Sequence, residues 1–445
     1  MIVKFGTDGV RGVANVELTP EIAFALGRAG SRVLGKPDKK TVIVIGRDTR
    51  ISGPMLEAAF NAGACSAGAD VISLGVMPTP GVAYLTGKYA ADFGVVISAS
   101  HNPAADNGIK FFGPHGYKLP DEAEREIERI LAQELDQIPR GSGSDVGRIL
   151  TADSAVDDYI EFLCSCYDPV SAQRPLRIVV DCAHGAASDI APRLWQKTGL
   201  AVKFINCQPD GININDHCGS THTQMLMDTV REQSADLGVA YDGDSDRCIF
   251  VDENGQELDG DYILGIFALY LQKRPLEPAR VVGTVMSNIG LELLLQQHNI
   301  EFISAPVGDR YVLENMNSSG AVIGGEQSGH IILSRYADTG DGLLTSLKMV
   351  EILQKQGQSF SKLASVLQKK PQMLVNVRVA DKDTVLDSPV MQEALTAAHA
   401  RLGAEGKIVL RPSGTEPVVR LMAQGNDPAL IADILLQLEN VLQQI

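Results

Sequence analysis

Four short polar segments carry the side chains that could do chemistry in this chain. The first holds Ser98, Ser100 and His101, directly after an apolar run at residues 94–97. Three more follow apolar runs downstream: Asp-Gly-Asp-Ser-Asp-Arg at 242–247, Gly-Glu-Gln-Ser-Gly-His at 325–330 and Arg-Pro-Ser-Gly-Thr-Glu-Pro at 411–417. In chain order, they offer a nucleophile, a set of carboxylates, a loop that could bind hydroxyls and a loop that could bind phosphate.

Ser100 is the candidate nucleophile. A serine that accepts or donates a phosphoryl group needs a metal ion and nearby cations to neutralise charge on the phosphate. Lys110 could act as a general base or as a phosphate clamp. The alternative is that Ser98 and Ser100 simply cap a following helix, a common role for serine. The acidic segment downstream favours the nucleophile.

Three carboxylates alternate on a tight loop and could converge on one hard cation: Asp242, Asp244 and Asp246. Gly243 is expected to help the turn. Three carboxylates with few other ligands suit Mg²⁺. A calcium loop is the alternative, since Glu253 stands where such a loop has its last ligand, but Arg247 replaces its glycine. A merely solvated acidic turn is disfavoured because adjacent carboxylates repel one another without a cation.

The remaining two segments predict substrate-binding loops. Arg411 offers a guanidinium beside two hydroxyls and an exposed glycine backbone, at Ser413, Gly414 and Thr415, and Arg420 adds a second cation. This set suits a phosphate dianion, and an ordinary turn is the weaker alternative. Donors and acceptors at short spacing between two glycines could bind neighbouring sugar hydroxyls: Glu326, Ser328 and His330.

The elements that must position these loops form repeated βαβ units. Short apolar, β-branched runs at 42–45, 94–97, 178–180, 237–240 and 281–285 alternate with helical patterns, which predicts parallel sheets. One helix should bury a face up to Ile138 and end at Pro139, before a flexible connection at 140–145. We therefore expect α/β domains at 1–150, 151–252 and 253–368.

The last segment, 369–445, differs in kind. Residues 373–379 alternate like an antiparallel strand. The chain then ends in a helix with Asp427 at its N-cap and Pro428 in its first turn. We expect a smaller α+β domain here.

Composition excludes several classes of protein. A net charge of -16 argues against a general nucleic-acid or anionic-membrane binder. No apolar run is long enough to span a bilayer, and the opening residues lack the pattern of a signal peptide. Seven scattered cysteines without framework spacing predict reduced thiols and a cytoplasmic protein. Cys164 and Cys166 are interpreted as ordinary side chains on a helix.

Together the four segments resemble the α-D-phosphohexomutase family over essentially the whole chain. The resemblance implies three mixed α/β domains and a fourth domain like the TATA-box-binding protein, around a central cleft. It implies a phosphoserine at Ser100, which binds Mg²⁺ together with the three aspartates. Further roles implied near the metal belong to Arg11, His101, Lys110 and Arg247. The family also implies contacts with sugar hydroxyls or the distal phosphate from Glu326, Ser328, His330, Asp309, Arg411, Ser413, Gly414, Thr415 and Arg420.

Within the family, three segments favour members that act on glucosamine phosphates: 5–12, 307–311 and 339–342. The expected reaction interconverts glucosamine 6-phosphate and glucosamine 1-phosphate, with a sugar 1,6-bisphosphate as activator, and would feed UDP-N-acetylglucosamine synthesis. The resemblance is compatible with a homodimer. One departure is Ser245, which stands where the family has glycine in the metal loop. Mutases of mannose or glucose phosphates, a Mg²⁺-dependent phosphatase and a non-catalytic sugar-phosphate sensor remain alternatives.

Overall fold

The structure is a computed structural model that describes residues 3–6, 9–36, 38–114, 116–169, 175–273, 280–379, 385, 388–412 and 418–444. The chain forms two compact units. Unit 1 comprises residues 1–260 and 328–363, and unit 2 comprises residues 261–327 and 364–445. Within the described ranges, no helix has both the length and the apolar character needed to cross a membrane.

The first sheet of unit 1 has six strands in the order β1-β5-β4-β2-β3-β6. Its strands and helices are β1 Val10–Val13, α1 Pro20–Leu34, β2 Val42–Arg47, α2 Gly53–Ser66, β3 Asp70–Val76, α3 Thr79–Lys88, β4 Phe93–Ile97, β5 Asp106–Phe112, α4 Asp121–Gln133 and β6 Ile149–Thr151. Strands β4, β2, β3 and β6 run parallel, whereas β5 is antiparallel to both β4 and β1. All five residues of β4 are buried, which explains its continuous apolar sequence.

The second sheet of unit 1 has five strands in the order β11-β10-β9-β7-β8. Its elements are α5 Ala155–Cys166, β7 Arg177–Asp181, α6 Ala187–Thr198, β8 Ala201–Ile205, α7 Gln224–Gln233, β9 Leu237–Tyr241, β10 Cys248–Asp252 and β11 Glu257–Leu258. The centre, β8-β7-β9, is parallel and the β9-β10-β11 edge is antiparallel. Unit 1 also contains β15 Ile331–Leu333, α11 Gly342–Gln356 and most of α12 Phe360–Ala364.

Unit 2 begins with α8 and continues with a parallel group of three strands in which β12 lies between β13 and β14. The elements are α8 Gly260–Gln272, β12 Arg280–Thr284, α9 Ile289–Gln297, β13 Glu301–Ala305, α10 Asp309–Ser319 and β14 Ile323–Gly325. A three-stranded antiparallel sheet follows, in the order β16-β18-β17. It is formed by β16 Gln372–Arg378, β17 Lys407–Pro412 and β18 Val418–Gln424, with α13 Pro389–Leu402 and α14 Pro428–Leu442.

Most elements agree with the sequence-based expectations. The five apolar runs are parallel strands, and β16 is antiparallel to β18. Helix α14 begins as predicted, since the Asp427 carboxylate accepts a hydrogen bond from the Ala429 N–H at 2.9 Å. The described sheets thus confirm mixed α/β architecture followed by an α+β segment.

The helix that was expected to run to Pro139 is shorter. Helix α4 ends at Gln133, and residues 135–137 form a separate 3₁₀ turn. Glu134 leaves the helical conformation at φ −131°, so the chain turns before the proline. Ile138 is nevertheless buried in the same core as Ile127, because the turn returns the chain to the face that the helix would have covered.

Candidate active site

The loop after β4 carries Ser100. Its hydroxyl is buried and donates a hydrogen bond of 2.6 Å to Oδ2 of Asp242. The alternative in which Ser98 and Ser100 cap a helix is wrong, because β5 is the next regular element after β4. Ser100 instead adopts a left-handed backbone conformation, φ 52°, which is uncommon for a residue other than glycine.

The three aspartates follow β9 directly and converge. One carboxylate oxygen from each lies within 4.8 Å of the others, and all three residues are buried. Oδ1 of Asp244 and Oδ1 of Asp246 are buried yet accept no hydrogen bond from the described residues. Buried carboxylate oxygens left in this way fit a hard divalent cation such as Mg²⁺. The calcium alternative is wrong, because Glu253 accepts hydrogen bonds from Ser361 instead of joining the cluster.

The turn in residues 242–247, here called the metal loop, does not depend on the backbone of Gly243 as the sequence predicted. Ser245 has the left-handed conformation, φ 60°, and Gly243 does not. Gly243 is required for a different reason, since a Cβ there would lie 2.6 Å from the Ser100 carbonyl oxygen and 2.9 Å from Nδ2 of Asn215. The missing side chain lets the metal loop approach the serine loop.

Electrostatics within the cluster are uneven. Burial, followed by repulsion from Asp246 and Asp244, raises the pKa of Asp242 well above its usual range. Burial also opposes ionisation of Asp244, but Lys110 and the Thr79 hydroxyl outweigh it and lower its pKa. Nζ of Lys110 lies 3.0 Å from Oδ2 of Asp244, and Oγ1 of Thr79 lies 2.6 Å from the same oxygen.

Two arginines and a histidine complete the surroundings of Ser100. Nδ1 of His101 lies 3.4 Å from the Ser100 hydroxyl. Burial, and then the positive charges of Arg247 and Arg11, lower the pKa of His101 to about 4, so its ring is neutral at pH 7. The backbone N–H of Arg247 donates a hydrogen bond of 3.2 Å to Oδ1 of Asp242. All predicted catalytic residues therefore lie in unit 1 around the carboxylate cluster.

His330 is buried behind the metal loop. Its Nδ1 lies 3.6 Å from Oδ2 of Asp246, and its Nε2 accepts a hydrogen bond of 3.1 Å from the Gly340 N–H. An acceptor at Nε2 leaves the ring proton of the neutral form on Nδ1, directed at Asp246. Ser328, two residues earlier, is exposed.

The other predicted substrate-binding residues belong to unit 2. Glu326 accepts a hydrogen bond of 2.9 Å from the Gly308 N–H, next to Asp309 at the start of α10. Arg411 and Arg420 are cross-strand partners on β17 and β18. Burial and the neighbouring Arg420 lower the pKa of Arg411, whereas Glu326 opposes that shift. Three predicted phosphate-loop residues lie outside the described part of the chain: Ser413, Gly414 and Thr415.

Several contacts of the serine and metal loops were not anticipated from sequence. Thr79 binds Asp244, while Arg50 and Asn215 both donate to the Ser100 carbonyl. Arg50 and Asn215 come from the loops after β2 and β8, at the same edge of their sheets as the predicted residues. The rule that ligands bind at the carboxyl ends of parallel strands could have pointed to them.

Four models of one family match the chain in order. They are alpha/beta/alpha domains I, II and III of phosphoglucomutase/phosphomannomutase and its C-terminal domain, matched at residues 3–137, 157–255, 259–370 and 374–441.

Curated relatives and a solved structure extend this similarity over the full length. The chain is 55% identical over 443 residues to a phosphoglucosamine mutase of Syntrophomonas wolfei, covering 99% of this chain and 98% of the relative. It is 50% identical to a phosphoglucosamine mutase of Desulforamulus reducens, with both chains fully covered. A crystal structure of a phosphoglucomutase/phosphomannomutase family protein from Burkholderia thailandensis has a TM-score of 0.83 at 26% identity, covering 100% of this chain and 98% of that one.

Proposed function

We propose a reaction for this chain from the premise that it belongs to the phosphoglucomutase/phosphomannomutase family. The reaction is the reversible conversion of glucosamine 6-phosphate to glucosamine 1-phosphate through a sugar 1,6-bisphosphate. The observation that carries the proposal is the hydroxyl of Ser100, buried and bonded at 2.6 Å to a carboxylate of a three-aspartate cluster. The names of the full-length relatives support the choice of sugar.

In the proposed reaction, phosphorylated Ser100 transfers its phosphoryl group to O1 of glucosamine 6-phosphate. The bond from phosphorus to the serine oxygen breaks, the bond to O1 forms, and the O1 proton is passed on so that Ser100 regains its hydroxyl. After the bisphosphate has turned end for end, Ser100 takes the phosphoryl group from O6. The phosphoserine is regenerated, and O6 recovers a proton.

Residues around Ser100 stabilise the charge that develops on the transferring group. Lys110, Arg11 and Arg247 supply positive charge beside the carboxylates. Neutral His101, 3.4 Å from the serine oxygen, can hold or release a proton there.

The three aspartates and the phosphate on Ser100 would hold Mg²⁺. When bound, the ion neutralises charge on the phosphoryl oxygens. Oδ1 of Asp244 and Oδ1 of Asp246 accept no hydrogen bond from the residues that the structure describes, and these free ligand atoms support the assignment.

Binding of the rest of the substrate is proposed for the sugar and phosphate loops. Arg411, Ser413, Gly414, Thr415 and Arg420 would hold the phosphate that is not reacting. Glu326, Ser328 and Asp309 would hold the sugar, whose hydroxyls must be recognised in both orientations. For His330 we propose that it orients Asp246 in place of the predicted contact with the sugar, since its Nδ1 lies 3.6 Å from Oδ2 of Asp246.

A sugar 1,6-bisphosphate is the proposed activator, because it can phosphorylate Ser100 in an enzyme that has lost its phosphate. We also propose a cytoplasmic location. All seven cysteines are free, which supports a reducing compartment.

The test is steady-state turnover of glucosamine 6-phosphate, glucose 6-phosphate and mannose 6-phosphate, each with Mg²⁺ and its 1,6-bisphosphate. A clear preference in kcat/KM for the amino sugar is expected. An equal or higher kcat/KM for glucose or mannose phosphate would contradict the proposal that glucosamine phosphate is the substrate. It would leave the proposed phosphoserine mechanism standing. If the protein releases inorganic phosphate and forms no isomerised sugar phosphate, it is a phosphatase and not a mutase.

A further inference from the structure

We infer that Asn215 and Arg50 are positioning residues for the nucleophile. They both bind the backbone carbonyl of Ser100 and hold the residue in the left-handed conformation that directs its hydroxyl at Asp242. The inference rests on the proposed function, in which Ser100 is the phosphoryl carrier.

The carbonyl oxygen of Ser100 accepts two side-chain hydrogen bonds. Nδ2 of Asn215 lies 2.9 Å from it and Nη2 of Arg50 lies 3.2 Å from it. The same two nitrogens also donate to the Asn102 carbonyl, at 3.0 Å and 2.5 Å. Asn215 and Arg50 thus each bind the carbonyl oxygens of Ser100 and Asn102. The acceptors in these four contacts are backbone oxygens and not the Ser100 hydroxyl.

The amide of Ser100 is fixed as well. Its N–H donates at 2.9 Å to Oγ of Ser98, and the Ser98 side chain favours the ionised form of the nearby Asp48, whose pKa burial raises. Asp48 also pairs with the Arg50 guanidinium and accepts a hydrogen bond of 2.9 Å from the Arg50 N–H. Asp48 and Arg50 are both fully buried. One buried carboxylate therefore orients Arg50, which binds the carbonyl of Ser100.

This network opposes a backbone cost. A left-handed conformation is energetically unfavourable at a residue other than glycine and persists only where surrounding contacts impose it. Without the two donors, the Ser100 peptide can relax and its hydroxyl can leave the 2.6 Å contact with Asp242. A displacement of about 1 Å at a reacting group can slow a reaction about a hundredfold.

Asn215→Gly is the variant that isolates this effect. Asn215 itself has φ 58°, so glycine suits its backbone and only the side-chain amide is lost. Asn206→Gly is the matched control. Asn206 is also left-handed, φ 49°, and its Nδ2 donates at 3.0 Å to Asp181 instead of to the serine loop.

Four quantities are measured on the full chain, the three kinetic ones with Mg²⁺ and the metal affinity without it. They are kcat and KM for glucosamine 6-phosphate, the rate at which a hexose 1,6-bisphosphate phosphorylates Ser100, followed by peptide mass spectrometry, and the Kd for Mn²⁺. For Asn215→Gly we expect kcat and the phosphorylation rate to fall about 10- to 100-fold. KM and the Mn²⁺ Kd should stay within about twofold of the wild type, and Asn206→Gly should leave all of them within that range.

A folded Asn215→Gly protein with an unchanged kcat would overturn the inference. A fall in kcat with rises of similar size in KM and in the Mn²⁺ Kd would also overturn it, because such changes indicate a general structural role. If Asn215→Gly does not fold by near-UV circular dichroism, Arg50→Lys gives the same test, and failure of both variants to fold assigns these residues to folding instead. If no bisphosphate phosphorylates wild-type Ser100, the proposed function fails before any variant is compared.

Discussion

The side chain at position 245 must tolerate a left-handed backbone inside a buried loop. Ser245 has φ 60° and is fully buried, and its carbonyl accepts a hydrogen bond of 3.0 Å from the Gly342 N–H. Serine thus occupies a backbone conformation in which glycine, the residue that the resemblance implies here, would carry no steric penalty. The departure from the family pattern leaves the three aspartates convergent.

We predict that Ser245→Gly changes the free energy of unfolding by no more than about 1 kcal/mol, because relief of strain offsets the added entropy of the unfolded chain. Ser245→Val should lose about 2 kcal/mol or more, since a β-branched side chain fits this conformation poorly. Urea denaturation of the two variants checks this. Equal free energies of unfolding for the valine and glycine variants would contradict the claim that the backbone at position 245 is strained.

Thr79 provides a second prediction at this scale. Its hydroxyl donates at 2.6 Å to Asp244, so Thr79→Val removes a donor that orients a carboxylate proposed to bind the metal. We expect the Mn²⁺ affinity, measured by calorimetric titration, to fall about tenfold or more. Thr86→Val is the control, because the Thr86 hydroxyl bonds Val82 within the same helix. Equal affinities of the two variants would rule out this role for Thr79.

The sequence predicted the groups around Ser100 better than the contacts that orient them. Ser100, Lys110 and the aspartates could be recognised because residue type and local spacing suffice. Thr79 lies 165 residues from Asp244 in the chain, and no local pattern marks such a pair. The reason for Gly243 was also missed, since it depends on the approach of a different loop.

At the scale of elements, a buried carboxylate joins neighbouring strands of the first sheet. Asp70, at the start of β3, accepts hydrogen bonds from the Arg148 N–H at 2.7 Å and the Arg148 guanidinium at 3.0 Å, and it pairs with Lys40 at 2.9 Å. Burial alone would raise its pKa, but Arg148 and Lys40 outweigh it and lower the pKa to about 2. The ionised form therefore stabilises the fold.

We predict that Asp70→Asn lowers the free energy of unfolding at pH 7 by about 1 kcal/mol, a value discounted because Lys40 and Arg148 are partly exposed and screened. A depressed pKa contributes stability above the unfolded value near 4 that is lost as the pH falls through about 2. The difference between the variant and the wild type should therefore shrink over that window in urea titrations. Asp153→Asn, at an exposed aspartate, is the control, and a difference independent of pH would contradict the linkage.

Element types could be predicted from apolar periodicity, but helix ends could not always be. The run to Ile138 has helical spacing, yet α4 ends at Gln133. Tertiary packing decides this end, because Ile138 reaches the core from outside the helix. The antiparallel strands β5 and β10 were not predicted either. Each follows its polar site loop within a few residues, and no glycine-rich hairpin signal marks them.

At the scale of the whole molecule, the chain has separate hydrophobic cores. One is built around the first sheet in unit 1, and another joins the three-stranded sheet to α13 and α14 in unit 2. Proteins with several cores commonly depart from two-state unfolding. The three aspartates all belong to unit 1.

We therefore predict at least two transitions in scanning calorimetry. Mg²⁺ at a large excess over its Kd should raise the transition of unit 1 and leave that of unit 2 in place, because a ligand stabilises the part that binds it. Asp246→Asn should abolish the shift. A single transition with equal calorimetric and van't Hoff enthalpies would contradict this account of separate cores.

The account as a whole depends on Ser100 as the carrier of the phosphoryl group. The most direct test is conversion of glucosamine 6-phosphate to glucosamine 1-phosphate by Ser100→Ala beside the wild type, with Mg²⁺ and glucosamine 1,6-bisphosphate present. We predict turnover by the wild type and none above background by the variant, with near-UV circular dichroism unchanged. Wild-type-like turnover by Ser100→Ala would contradict the central claim.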